Sequence, residues 1–309
     1  MTRIAQRALA IGRSLLIPVR TLARRLPAPL LRLLKRAAAN QRDREIISAL
    51  APLNAGATWE TPRCAICGGA SVRLHLLKNG FSIVRCRTDG LLFVSPRPAE
   101  LKGYYDSRYY HGGVPGVYES YEVHAARMED EWSERLSILD GAGDGSRRLL
   151  DVGAATGNFL ALARRKGWQV RGIDLSDWAA AEARRVHLVD VVSGTLPHAA
   201  FEPGTFDAIT MWDCIEHLSD PLSVINAVRI LLAPKGVLAL STGEVPDRDP
   251  RALSGWYYPP WHLYYFSRES IGALLQKAGF EIIEYLQQDP DSPYAVMTVI
   301  ARPHIRPAH

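Results

Sequence analysis

The chain has 309 residues, 47% of them hydrophobic, which is enough apolar material for a full core and a small second module. Its net charge of +5 is uneven: residues 1–50 carry 11 Lys and Arg against 2 Asp and Glu, a net +9 that leaves −4 on the remainder. A basic start on an acidic body excludes a nucleic-acid-binding face over the whole protein, and no apolar run reaches the ~18–20 residues of a spanning helix. Four cysteines (Cys64, Cys67, Cys86, Cys214) with no cleavable signal pattern read as reduced thiols in a cytoplasmic protein, not as a disulfide framework.

The first segment, residues 1–50, is expected to be basic, amphipathic and helical. At 100° per residue Ile4, Ala8, Ile11, Leu15, Val19, Leu22 and Leu26 share one side, with Arg3, Arg7, Arg13, Arg20 and Arg24 on the other. Pro18 must bend or split it. Residues 1–40 suit peripheral contact with the anionic inner membrane surface, and equally a helix packed on its own catalytic domain.

Residues 58–100 carry Cys64-Ala-Ile-Cys67-Gly68-Gly69 and Cys86-Arg-Thr-Asp89-Gly90. The spacing is that of a zinc ribbon with Asp89 where a fourth Cys would stand. Gly permits the tight turn that aims backbone N–H groups at sulfur. Cys64, Cys67, Cys86 and Asp89 are therefore the candidate ligands of a structural zinc, with His75 as another fourth donor. The alternative is a metal-free hairpin.

Residues 101–145 hold Tyr104, Tyr105, Tyr109, Tyr110 and His111, then one expected polar-faced helix from Glu119 to Leu139. From 146 to 301 strands and helices alternate: strands at 147–152, 169–174, 188–193, 206–212 and 236–241, with helices at 157–166, 177–186 and 221–232. Alternation predicts a parallel sheet covered on both faces. A helix capped by Ser267 and ended before Gly279 follows, and segments 280–287 and 294–301 form an antiparallel pair.

The organising stretch is Leu149-Leu-Asp151-Val-Gly153-Ala-Ala155-Thr-Gly157. Small residues at such a turn let backbone N–H groups approach a ligand at the positive end of a helix. Asp174, about 20 residues on at the end of the second strand, is placed for ribose hydroxyls. The second and third glycines of a G-x-G-x-x-G dinucleotide fingerprint are missing from their places, which argues against an NAD-dependent oxidoreductase.

This turn, followed by Phe206-Asp207-Ala-Ile-Thr-Met211-Trp212-Asp213-Cys-Ile-Glu216-His217 and by Leu231-Leu-Ala-Pro234-Lys-Gly236, resembles the successive motifs of the class I S-adenosylmethionine-dependent methyltransferases. Ala155 stands where many members carry Gly. The resemblance implies an α/β fold, a Rossmann-like seven-stranded doubly wound sheet. It further implies S-adenosylmethionine as cofactor, with Asp151, Gly153, Ala155, Gly157, Asp174, the Gly194-Thr195-Leu196 stretch, Trp212 and Asp213 around it. The cysteine module and Tyr-rich segment are similar to the start of bacterial methyltransferases acting on sugars and small metabolites. In those relatives the Tyr-rich segment lies over the cleft.

Methyl transfer needs a base only where the nucleophile must lose a proton. His217 is the leading candidate, with Glu216 beside it to orient it or bind substrate. His262, in a Trp256–Phe266 run dense with aromatics, is the second. The expected reaction is methyl transfer to a hydroxyl or carbon of a sugar, a glycolipid precursor or another small metabolite, with a lipid-linked sugar suiting the basic start. The rival is a non-catalytic module that keeps a degenerate cofactor pocket. The acidic body and the lack of an Asn/Asp-Pro-Pro-aromatic motif speak against nucleic-acid methylation.

Overall fold

The computed structural model describes residues 41–113, 120–245, 256–288 and 296–304. The basic segment up to residue 40 lies outside the described residues, as does any membrane contact it makes. The chain is followed from helix Gln41–Ala55, which carries Pro52 inside it.

The first strands are short: β1 (Trp59–Glu60), β2 (Val72–Lys78), β3 (Phe81–Cys86), β4 (Leu92–Val94) and β5 (Arg97–Pro98). β2, β3 and β4 form an antiparallel sheet, with the turn between β2 and β3 at Asn79-Gly80, both in the left-handed region. This sheet takes its fourth strand from far along the chain: β11 (Tyr264–Tyr265) pairs with β4 through Tyr264 opposite Phe93. The expected 58–100 module thus shares its core with the later domain. Ile83, Phe93, Tyr264 and Phe266 are all buried in one cluster. Lys277 also donates to the Ile66 carbonyl.

The helix expected over Glu119–Leu139 is two, Tyr121–Arg127 and Glu129–Ile138. Met128 flattens to ψ −5° between them, yet its carbonyl still accepts the Trp132 N–H at 2.8 Å. The hydrogen-bond ladder therefore bridges the break and keeps one side-chain face running through it.

The central sheet has seven strands: β6 (Arg148–Val152), β7 (Gln169–Asp174), β8 (Asp190–Ser193), β9 (Phe206–Met211), β10 (Leu232–Gly243), β12 (Phe280–Gln288) and β13 (Val296–Pro303). Their order is β12-β13-β10-β9-β6-β7-β8, with β13 antiparallel to both its neighbours and the rest parallel. This is the expected doubly wound sheet. The chain starts in the middle at β6, runs out through β7 and β8, and returns to β9 on the other side. The switch point lies between β6 and β9, and their carboxyl ends mark where a ligand sits in such sheets.

Burial on both faces explains the continuous apolar runs of β6 and β9, whose Leu149, Leu150, Ala208 and Ile209 are fully covered. Asp207 is an exception, and it is paired. Its carboxylate accepts the Arg148 backbone N–H at 2.9 Å and the Arg148 guanidinium at 2.9 and 3.0 Å, at the amino ends of β6 and β9. β8 begins at Asp190, two residues later than expected, because the helix before it widens into a π-turn at Ala183–His187 and Leu188 turns left-handed. No helix among the described residues is long and apolar enough to cross a membrane.

Candidate active site

A cavity of about 350 Å³ opens at the switch point. Its floor is the turn after β6. Gly153 takes φ +81°, and a Cβ there would sit 2.6 Å from Cys214 Sγ, so only Gly fits. Ala155 also lies in the left-handed region, φ +46°, where an alanine is strained. What holds it is a hydrogen bond: its N–H reaches Asp174 Oδ2 at 2.8 Å. Asp174 Oδ1 accepts the Ser176 N–H, also at 2.8 Å. The second-strand acid is thereby braced from two turns while it lines the cavity. Burial pushes its pKa up, and the two backbone N–H groups oppose that.

Asp151 lines the cavity beneath the glycine turn and accepts the Thr210 hydroxyl at 2.7 Å. Burial, with the nearby Asp174 charge, pushes it up to about 7 against that hydrogen bond. At the end of β9, Trp212 and Asp213 form another wall. The Arg135 guanidinium lies 4.8 Å from the Trp212 ring centre, and Asp213 Oδ1 accepts the Ser241 hydroxyl at 3.0 Å. These contacts fit an adenosyl cofactor: a braced acid for hydroxyls, a glycine cradle and aromatic walls.

Two residues expected at the cofactor do not line the cavity. Leu196 is buried, while Gly194 and Thr195 of the same expected stretch do line it. Gly157 serves packing, since a Cβ there would lie 2.8 Å from Val189 Cγ2 and 2.9 Å from Ala183 Cβ.

Of the Tyr-rich residues, Tyr105, Tyr109 and Tyr110 line the cavity. Tyr104 is buried and donates to Asn54 Oδ1 at 2.8 Å, while His111 packs edge-on against Trp178. Tyr121, His124, Met128 and Trp132 contribute a further wall that sequence reasoning did not assign to the site. Their i, i+3, i+7, i+11 spacing is the signal that was available.

His217 reaches the cavity, while Glu216 and His262 stand behind it. His217 Nδ1 lies 2.9 Å from Tyr105 Oη, and its ring meets His262 perpendicularly with centroids 4.7 Å apart. His262 Nδ1 donates to the Trp256 carbonyl at 2.8 Å. Burial, then the neighbouring His262, pushes His217 well below the usual imidazole range, and burial brings His262 down to about 4. Both rings are therefore neutral at pH 7. Glu216 is fully covered and neither carboxylate oxygen has a hydrogen-bond partner. Burial and then the Asp213 charge push its pKa far up. Glu216, His217 and His262 each bring a donor atom within 4.8 Å of the others.

A second cluster joins Cys64, Cys67, Cys86 and Asp89, whose donor atoms also lie within 4.8 Å of one another. Cys67 and Cys86 sulfurs are 3.6 Å apart, against ~3.8 Å for two thiolates on one tetrahedral zinc. Cys64 Sγ lies 3.1 Å from Asp89 Oδ2. Backbone N–H groups of Gly69 and Thr88 point at Cys67 and Cys86 sulfurs at 3.4 Å each. Burial, with Asp89 alongside, pushes the Cys64 thiol up. His75 is not part of this cluster: it faces Tyr257 Oη at 3.4 Å.

A family profile described as "Methyltransferase domain" matches residues 124–285. The chain belongs to this methyltransferase-domain family. It is 30% identical over 165 residues to a ubiquinone biosynthesis O-methyltransferase of Albidiferax ferrireducens, covering 50% of this chain and 61% of that protein. The protein of the same name from Xanthomonas campestris pv. campestris is 42% identical over 113 residues, 35% of this chain and 46% of that one. The methyltransferase-family chain thus spans about half the length of the curated relatives it matches. Among solved structures, a chain from the complex between the Haloferax volcanii Trm112 methyltransferase activator and a methyltransferase is similar with a TM-score of 0.50 and 15% identity. That likeness covers 61% of this chain and 98% of the other, and it shows the shared fold.

Proposed function

We propose that the protein transfers the methyl group of S-adenosylmethionine to a hydroxyl oxygen of a small molecule, with His217 as the general base. The observation that carries this is a neutral imidazole in the wall of the same cavity that holds the glycine turn and Asp174. S-adenosylmethionine, when bound, supplies a methyl carbon activated by its sulfonium. The chain's own residues do the rest. Asp174 accepts hydrogen bonds from hydroxyls, Gly153 and Ala155 let the backbone come close, and Trp212 with the Tyr-rich segment excludes water. His217 takes the acceptor's hydroxyl proton as the oxygen turns nucleophilic.

The names of the relatives, O-methyltransferases, support oxygen as the acceptor atom. A sugar or lipid-linked hydroxyl is a narrower form of the same reading. The support for it is the cysteine module with its Tyr-rich segment and the basic residues 1–40. We also assign Cys64, Cys67, Cys86 and Asp89 to one structural zinc, on the donor set and its spacing.

The test is calorimetric titration with S-adenosylhomocysteine, followed by transfer of labelled methyl to a panel of phenolic, sugar and lipid-linked hydroxyl acceptors. Binding and transfer to any of these acceptors excludes a non-catalytic module. Absence of binding by the folded chain overturns the reading.

A further inference from the structure

The segment over the cavity is tied down at two points on one residue. Ser176 Oγ donates to the Tyr105 carbonyl at 2.6 Å, and the same hydroxyl accepts the Ala179 N–H as the cap of helix Asp177–Glu182. The backbone N–H of Ser176 is already bound to Asp174. The other end of Tyr105, its phenol, reaches across to His217 Nδ1 at 2.9 Å and to the Trp261 carbonyl at 3.4 Å. One residue therefore spans the ribose-side acid and the imidazole.

The hydrogens of these two contacts are constrained by what each group can give. A phenol has one O–H to give, and a carbonyl can only accept. If Tyr105 gives its proton to the Trp261 carbonyl, its oxygen is left to accept, and His217 Nδ1 must be the donor. That tautomer satisfies both contacts. The opposite one, with Tyr105 donating to Nδ1, leaves the Trp261 carbonyl without this partner. With hydrogen on Nδ1, the lone pair lies on Nε2, which is then the ring atom able to take a proton. His262 is set the same way, its Nδ1 hydrogen pointing at the Trp256 carbonyl.

We propose that Tyr105 is a positioning residue that fixes His217 as its Nδ1–H tautomer, so that the lid conformation walling the cofactor cavity is also the one that readies the base. This rests on the methyltransferase reading above for its catalytic consequence, and on hydrogen-bond geometry alone for the tautomer. A free neutral imidazole favours hydrogen on Nε2, which would block the base. The phenol reverses that preference by supplying an acceptor at Nδ1.

The experiment uses the full chain labelled with 15N-histidine. Long-range proton–nitrogen spectra distinguish the two tautomers, and His217→Asn identifies the His217 signals among the nine histidines. We expect a protonated Nδ1 and a bare Nε2 at His217 in the wild type. In Tyr105→Phe, which removes one oxygen from a packed ring, we expect the Nε2–H form to take over. Turnover with the acceptor found above should fall at least about tenfold, with KM for S-adenosylmethionine and affinity for S-adenosylhomocysteine within about twofold of wild type. An Nε2–H signal in the wild type overturns the proposal. So does a tautomer unchanged in a folded Tyr105→Phe chain, whatever happens to its rate. The spectra need no substrate, so a chain that fails to transfer methyl sinks the functional reading while the tautomer is still decided.

Discussion

Asp174 Oδ2 accepts the backbone N–H of Ala155 at 2.8 Å, tying the end of the second parallel strand to the turn after the first. The bond offsets a strained backbone: Ala155 keeps its left-handed φ because its N–H has a buried side-chain acceptor. Asp174→Ala should therefore do two things at once. It removes the candidate ribose ligand and releases the turn. We expect calorimetric binding of S-adenosylhomocysteine to vanish while the chain stays folded. Ala155→Gly should bind at least as tightly as wild type, because it relieves strain without touching the acid.

Gly153→Ala forces a Cβ to within 2.6 Å of Cys214 Sγ at φ +81°. The expected cost is about 1–3 kcal/mol of stability with weakened cofactor binding. Adding Cys214→Ala to this variant removes the sulfur and should restore part of the loss. Thermal melts of the single and double variants decide it, and an unperturbed single variant would show that the turn is looser than its geometry.

Asp151 gives a pH dependence whose sign can be worked out. Its folded pKa, about 7, lies above the ordinary carboxylate value near 3.9. The folded chain thus holds a proton that the unfolded chain has lost, and stability declines as pH rises from about 4 to about 7. The decline is on the order of 4 kcal/mol at most. Asp151→Asn keeps an oxygen for the Thr210 hydroxyl and cannot ionise. Without cofactor, its Tm should exceed that of wild type at pH 8 and match it at pH 4.

His217→Asn keeps the size and a hydrogen-bonding edge but offers no base. Turnover should fall by roughly 10²–10⁴, with S-adenosylhomocysteine affinity unchanged. A fall in affinity of the same size would instead make His217 a binding residue.

Zinc content by mass spectrometry should be one ion per chain. Cys67→Ser should release it and lower Tm. Asp89→Cys should retain it, because the site gains a fourth thiolate. Metal retained by Cys67→Ser would remove this residue from the ligand set.

The sequence made the doubly wound sheet legible because each strand is an apolar run closed by a small or acidic residue, and Gly153, Asp174 and Trp212 stand at such ends. What it hid was non-local. Nothing in Tyr264-Tyr265 announces a strand, since two residues have no periodicity and their partner Phe93 is far away. The close approach of Val189 and Ala183 to Gly157 is likewise a tertiary contact that nothing in the turn's own sequence announces. Within the stretch Gly194-Thr195-Leu196 no local pattern says which residues face the cavity: Gly194 and Thr195 do, and Leu196 is buried. Ser176 caps helix Asp177–Glu182, but its grip on the Tyr105 carbonyl is a meeting of two loops that no local pattern encodes.

The pairing of β4 with β11 has a consequence for how the chain is made. Phe93 and Tyr264 are separated by more than half of the sequence, so a ribosome needs roughly 10–30 seconds to supply the second after the first. During that interval Leu92-Phe93-Val94 presents an apolar strand with an open edge. The nascent cysteine module, with or without metal, is therefore a sticky intermediate that the last third of the chain must arrive to cover. Premature termination anywhere before residue 264 should leave a product that aggregates through its N-terminal half, however well its metal ligands are formed.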